Sequence, residues 1–113
     1  MSIEEFERRL AEAQRDIGMA HAKGAAERAT PGWTTFAVAA IREYAAAHQH
    51  FPAEHVRRWA ELHRKCPPPP NEKAWGPAMK AAQKAGIIVP DGAMRVESSN
   101  LSFKVRWRSC LLP

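Results

Sequence analysis

Residues 71–85 read NEKAWGPAMKAAQKA and run directly into Gly86-Ile87-Ile88-Val89. Asn71 follows four prolines, and its side chain is of the kind that accepts from the first unsatisfied backbone N–H groups of a helix. Trp75, Ala78, Met79, Ala82 and Ala85 recur at three- and four-residue steps, which predicts one apolar stripe for packing on a core. Lys73, Pro77, Lys80 and Lys84 keep the same steps a turn away, so the other flank is mostly cationic. Gly86 suits a left-handed stop, a geometry that residues with a Cβ resist. A short helix with a core flank and a lysine flank, leading into a strand, is what a DNA-reading helix requires. It is also the pattern of many ordinary surface helices.

Downstream, Pro90-Asp91-Gly92 reads as a turn or bulge, followed by Ala93–Val96 and the polar Glu97-Ser98-Ser99-Asn100. Phe103, Val105 and Trp107 then alternate with Lys104, Arg106 and Arg108. That period-two pattern predicts a half-buried strand with a row of cations outward. The two β segments are expected to pair antiparallel across residues 97–102.

Upstream, Pro67–Pro70 predicts a rigid extended connector. Before it, a helix over about Ala53–Lys65 is expected to bury Val56, Trp59, Ala60 and Leu62 or His63, with Arg57, Arg58, Glu61, Arg64 and Lys65 outward. With Pro52 at its cap position, Phe51 and Val56 are placed to clasp each other. An earlier helix runs from Trp33 to about His48, capped by Thr34 or Thr35, with the stripe Phe36, Ala37, Ala40, Ile41, Tyr44 and Ala45. The first, from Ile3 to about Glu27, carries Ile3, Phe6, Leu10, Ala13, Ile17 and Ala20 as a narrow heptad seam that fades at Gly18 and Gly24. It reads as a strap packed along the domain or a mobile arm; a short dimerising helix is the competing reading.

Three helices followed by a basic β-hairpin is the element order of a winged helix-turn-helix. The expected fold is mainly α within the α+β class: a three-helix core and C-terminal hairpin at 31–113, with an extra N-terminal helix or arm at 1–30. The chain's 113 residues suit one modest core, and 45% apolar with 26% charged residues fits a globular protein. No apolar run approaches the length of a membrane span, and the acidic MSIEEFERRL start is unlike an export signal. Cys66 and Cys110 lie far apart in no metal-type spacing, which favours reduced thiols and a cytoplasmic setting.

Charge is unevenly placed. Residues 1–56 hold six Lys/Arg and eight Asp/Glu, a net of −2, whereas residues 57–113 hold eleven and four, a net of +7. A local concentration of cations points to a polyanionic partner; the plainer reading is solvated surface charge.

The chain resembles the small winged-helix proteins encoded in phage and prophage genomes. The stretches that carry the resemblance are Arg15-Asp16-Ile17-Gly18-Met19, Pro31-Gly32-Trp33, Phe51 with Val56-Arg57, Lys73–Gly76 with Ala85-Gly86-Ile87-Ile88, and Val105-Arg106-Trp107-Arg108. They span most of the chain, are loose singly and are specific in combination. The resemblance implies a phage-derived, intracellular, DNA-associated protein, with replication or recombination as its setting, and it supplies no reaction. The chain departs from that family's pattern at Pro77, which moves the expected helix start to near Gly76 after one tight turn. It departs again in a hairpin loop without basic residues.

On this reading double-stranded DNA is the partner. The 71–85 helix enters the major groove with Lys73, Lys80, Gln83 and Lys84 exposed, Gln83 suited to adenine. Arg57, Arg58 and Arg64, with Lys104, Arg106 and Arg108, hold the backbone. The alternative is a protein-interaction module or homodimer that uses the N-terminal helix. An enzyme is not expected: His21, His48, His50, His55 and His63 are scattered, no paired carboxylates or nucleophile–base sets are recoverable, and no cofactor or metal is implied. Trp59, Trp75 and Trp107 are assigned to the core.

Overall fold

The computed structural model describes residues 2–96 and 102–113. Among these residues it is a mixed α+β fold of four α-helices, one 3₁₀ turn and a three-stranded antiparallel sheet. Helix α1 spans Ile3–Ala29, α2 Trp33–Ala45, α3 Ala53–Leu62 and α4 Trp75–Lys84. Strands β1 (His50–Phe51), β2 (Ile88–Val96) and β3 (Ser102–Ser109) form the sheet in the order β1-β3-β2.

The deciding stretch folds as its residues dictate. The Asn71 side chain accepts from the Lys73 N–H at 2.9 Å and caps a 3₁₀ turn over Glu72–Ala74, which leads into α4 at Trp75. Pro77 falls in the first turn of α4, where a missing N–H costs nothing. Trp75, Ala78, Met79 and Ala82 are buried; Ala85, expected to share their stripe, is the exposed C-cap. Gly86, at φ 81°, ends the helix as expected, and the Ile87 N–H reaches back to the Ala82 carbonyl at 3.0 Å.

The third helix is shorter than expected. α3 stops at Leu62 because Arg64 takes φ 53° and the Lys65 N–H closes on the Ala60 carbonyl at 2.8 Å. Leu62 and His63 are exposed instead of buried, whereas Val56 and Ala60 pack inward and Trp59 is half-buried. Pro52 is the cap of α3, and Phe51 and Val56 are both buried. Phe51 also belongs to β1, a two-residue strand that pairs His50 with Arg108 and Phe51 with Trp107. No sequence periodicity can reveal a strand of two residues.

Helix α2 starts without either expected threonine cap. The carboxylate of Glu27, at the end of α1, accepts from the Gly32 N–H at 2.8 Å and the Thr34 N–H at 3.0 Å. Ionised Glu27 meets the positive end of α2. The Thr34 hydroxyl, then the N–H groups of Thr34 and Gly32, hold its pKa below the usual value. Phe36 faces solvent, and Trp33 fills the core in its place, donating its indole N–H to the Pro67 carbonyl at 2.7 Å. That bond ties the proline connector to α2.

Helix α1 is continuous through Gly18 and Gly24 and packs with an unexpected face. Met19, Ala22 and Ala26 turn toward the body. Gly76 sits so near α1 that a Cβ there would meet the Met19 sulfur at 3.2 Å. The expected seam lies on the other side of the helix and is exposed.

Strands β2 and β3 pair antiparallel from Ile88–Ser109 to Val96–Ser102, with a bulge between Pro90 and Ala93. The polar connection expected at 97–101 lies outside the described residues. At the base, the buried Ser109 hydroxyl donates to the Ala45 carbonyl at 2.7 Å and locks the sheet to α2.

Candidate nucleic-acid interface

The apolar flank of α4 turns Trp75 and Met79 inward, so Lys80, Gln83 and Lys84 project from the outer flank at three- and four-residue steps. Beside this flank lies an open cleft of about 640 Å3 between α1, the start of α3, α4 and β3. Met19, Trp75, Met79, Val105 and Trp107 give it apolar walls. Arg57, Lys73, Lys80 and Lys104 supply cations, and Glu54 and Glu72 the acids.

These charges are unequally committed. Arg57 pairs with Glu72 at 3.1 Å and more distantly with Glu61 at 3.9 Å, and Arg58 pairs with Glu54 at 2.6 Å. Lys73, Lys80, Lys84 and Lys104 are exposed and have no ion pair among the described residues. Lys80 from the helix and Lys104 from the hairpin therefore share one cleft whose two carboxylates, Glu72 and Glu54, pair with Arg57 and Arg58.

The other cations expected to act with them are elsewhere. With Trp107 and Ser109 buried, period two puts Arg106 and Arg108 on the outer face of β3; Lys104 shares their parity but borders the cleft, which neither arginine lines. Both converge there on Asp91: Arg106 Nε donates to the Asp91 carbonyl at 2.7 Å, and both guanidiniums stand 3.8 Å from its carboxylate. His50 Nε2 joins them at 3.2 Å. Arg64 is exposed at the left-handed end of α3 and does not line the cleft.

The structure thus brings Lys73, Lys80 and Lys104 to one cleft, leaves Gln83 and Lys84 on the exposed flank of α4, and engages Arg57 and Arg58 with acids. Asp91 is the residue that sequence reasoning missed. Its partners are set by sheet register, which no local pattern displays. The i,i+4 spacing of Glu54 with Arg58 and of Arg57 with Glu61 was a readable signal; the contact of Arg57 with Glu72 across the connector was not.

No protein family, curated protein or solved structure matches the chain. Among the described residues, no helix is long and apolar enough to cross a membrane.

Proposed function

We propose that the chain is a DNA-binding winged-helix protein of phage or prophage type, acting in the host cytoplasm and holding duplex DNA mainly through phosphates. The observation that carries this reading is the set of unpaired ammonium groups on α4 and β3, Lys80, Lys84 and Lys104, with Lys73 beside them. Cations that fold into no internal pair remain available to displace the counterions of a polyanion. The element order agrees with the reading: α3 and α4 make the helical pair, joined through the proline connector and the 3₁₀ turn, and β2 with β3 makes the wing. Gln83 is the one group on the exposed flank suited to a base edge, so sequence preference is modest.

The test is duplex binding by fluorescence anisotropy across a salt series, with single-stranded and branched DNA alongside. The expected duplex affinity falls steeply with salt, and Lys80→Ala/Lys84→Ala lowers the slope of log K against log salt by about two. No duplex binding at low salt overturns the reading. So does an unchanged slope in the double variant.

The second reading, a protein-interaction module, is favoured by the exposed apolar side of α1.

A further inference from the structure

Helix α1 carries two apolar stripes, and its own domain uses one. Met19, Ala22 and Ala26 face the body. At 3.6 residues per turn, Ile3, Phe6, Leu10, Ala13, Ile17 and Ala20 fall on the opposite side of the helix. Ile3, Phe6, Leu10 and Ile17 are 78%, 58%, 49% and 58% exposed. Ile17 and Ala20 sit beside residues that pack on the domain, so their exposure comes from facing away from it, not from lying at a free end.

We propose that this seam pairs with the same seam of a second copy of the chain, the two α1 helices running antiparallel. The alternating three- and four-residue steps are the repeat by which two helices keep one line of contact. Side-chain sizes set the direction. Antiparallel alignment places Ile3 against the partner's Ala20, Phe6 against the partner's Ile17, and Leu10 against the partner's Ala13, so that bulky groups mostly meet small ones. Parallel alignment stacks Phe6 on its own copy and leaves Ala13 and Ala20 facing alanines, with voids that close packing does not tolerate.

The antiparallel direction also opposes the dipoles of the two helices. The pairing does not depend on DNA binding by α4, and it is measured without nucleic acid.

Sedimentation equilibrium of the full chain up to about 100 µM covers the range of weak pairing. The expected mass is twice the 12.6 kDa of one chain. Leu10→Glu/Ile17→Glu should restore the single mass with an unchanged tryptophan emission spectrum, because neither position is in the core. A wild type that stays monomeric over the whole range overturns the proposal, as does a double variant that still dimerises. Direction is read from spin labels on Glu4→Cys in a Cys110→Ser background, the remaining Cys66 being buried. Antiparallel pairing separates the labels by about 22 Å along the helices. Labels found side by side overturn the antiparallel assignment.

Discussion

Trp33 and Trp75 meet edge to face, with ring centroids 5.2 Å apart and planes at 80°. Both are almost wholly buried, yet their indole nitrogens differ in surroundings. The Trp33 N–H donates to the Pro67 carbonyl at 2.7 Å. The Trp75 N–H has no acceptor among the described residues. Replacing either tryptophan by phenylalanine removes the same atoms, and the lost contacts and void cost about 1–2 kcal/mol. At Trp33 the change also breaks a hydrogen bond worth about 1 kcal/mol. At Trp75 it removes a buried donor whose unrepaid desolvation costs about 1–3 kcal/mol, which offsets the void. Trp33→Phe should therefore destabilise by about 2–3 kcal/mol and Trp75→Phe by about 1 kcal/mol or less. Urea unfolding followed by far-UV circular dichroism separates the two variants, and the gap corresponds to roughly 10 °C in Tm. Equal losses, or a larger loss at Trp75, would refute the account of the core around α4.

Three further outcomes follow from single residues. The folded pKa of Glu27 lies below the unfolded value of 4.5, so its cap contributes stability above that value and loses it as pH falls through the folded pKa. Glu27→Gln should thus unfold with a weaker pH dependence below pH 4.5 than wild type, as acid titration followed by circular dichroism would show. Arg64→Gly relieves the positive φ at the end of α3 and should raise stability by about 0.5–1 kcal/mol in urea unfolding, the left-handed strain exceeding the entropy cost of glycine. Burial, and secondarily the Glu61 charge, push the Cys66 thiol up to about 11. A disulfide reagent at neutral pH should therefore label one thiol, the exposed Cys110, before unfolding and both after it.

What the sequence revealed was what short-range chemistry decides. Asn71, Pro77 and Gly86 each bear on their own backbone, so the 3₁₀ turn, the start of α4 and its left-handed stop were all readable. The alternation Phe103–Arg108 likewise located β3 and its antiparallel neighbour, but of the expected inner face only Trp107 is buried, while Phe103 and Val105 are 65% and 46% exposed. The failures share a different cause. Phe36, Leu62 and Ala85 fit helical stripes but face solvent, because a stripe is wider than the surface available to cover it. For α1 the stronger seam lost to a weaker one: alanines and Met19 allow the close approach at Gly76 that Ile17 or Leu10 would block. Periodicity names the faces of a helix; the shape of the neighbour chooses between them.

The same limit governs the charges. Counting cations by position made Arg106 and Arg108 equal to Lys80 and Lys84, since all are exposed on regular elements. The bulge between Pro90 and Ala93 breaks that equality by bringing Asp91 to both arginines and to His50. One carboxylate thereby converts two candidate phosphate contacts into ties that hold the hairpin to the sheet. The two groups should separate by experiment. Removing Lys80, Lys84 or Lys104 should change the salt slope of duplex binding by about one each and leave unfolding almost unmoved. Arg106→Ala breaks a 2.7 Å bond to the Asp91 backbone and should lower stability by about 1 kcal/mol, with little effect on that slope. A variant of Arg106 that weakened duplex binding as much as Lys80→Ala, at unchanged stability, would show that the sheet's outer face also meets the phosphates.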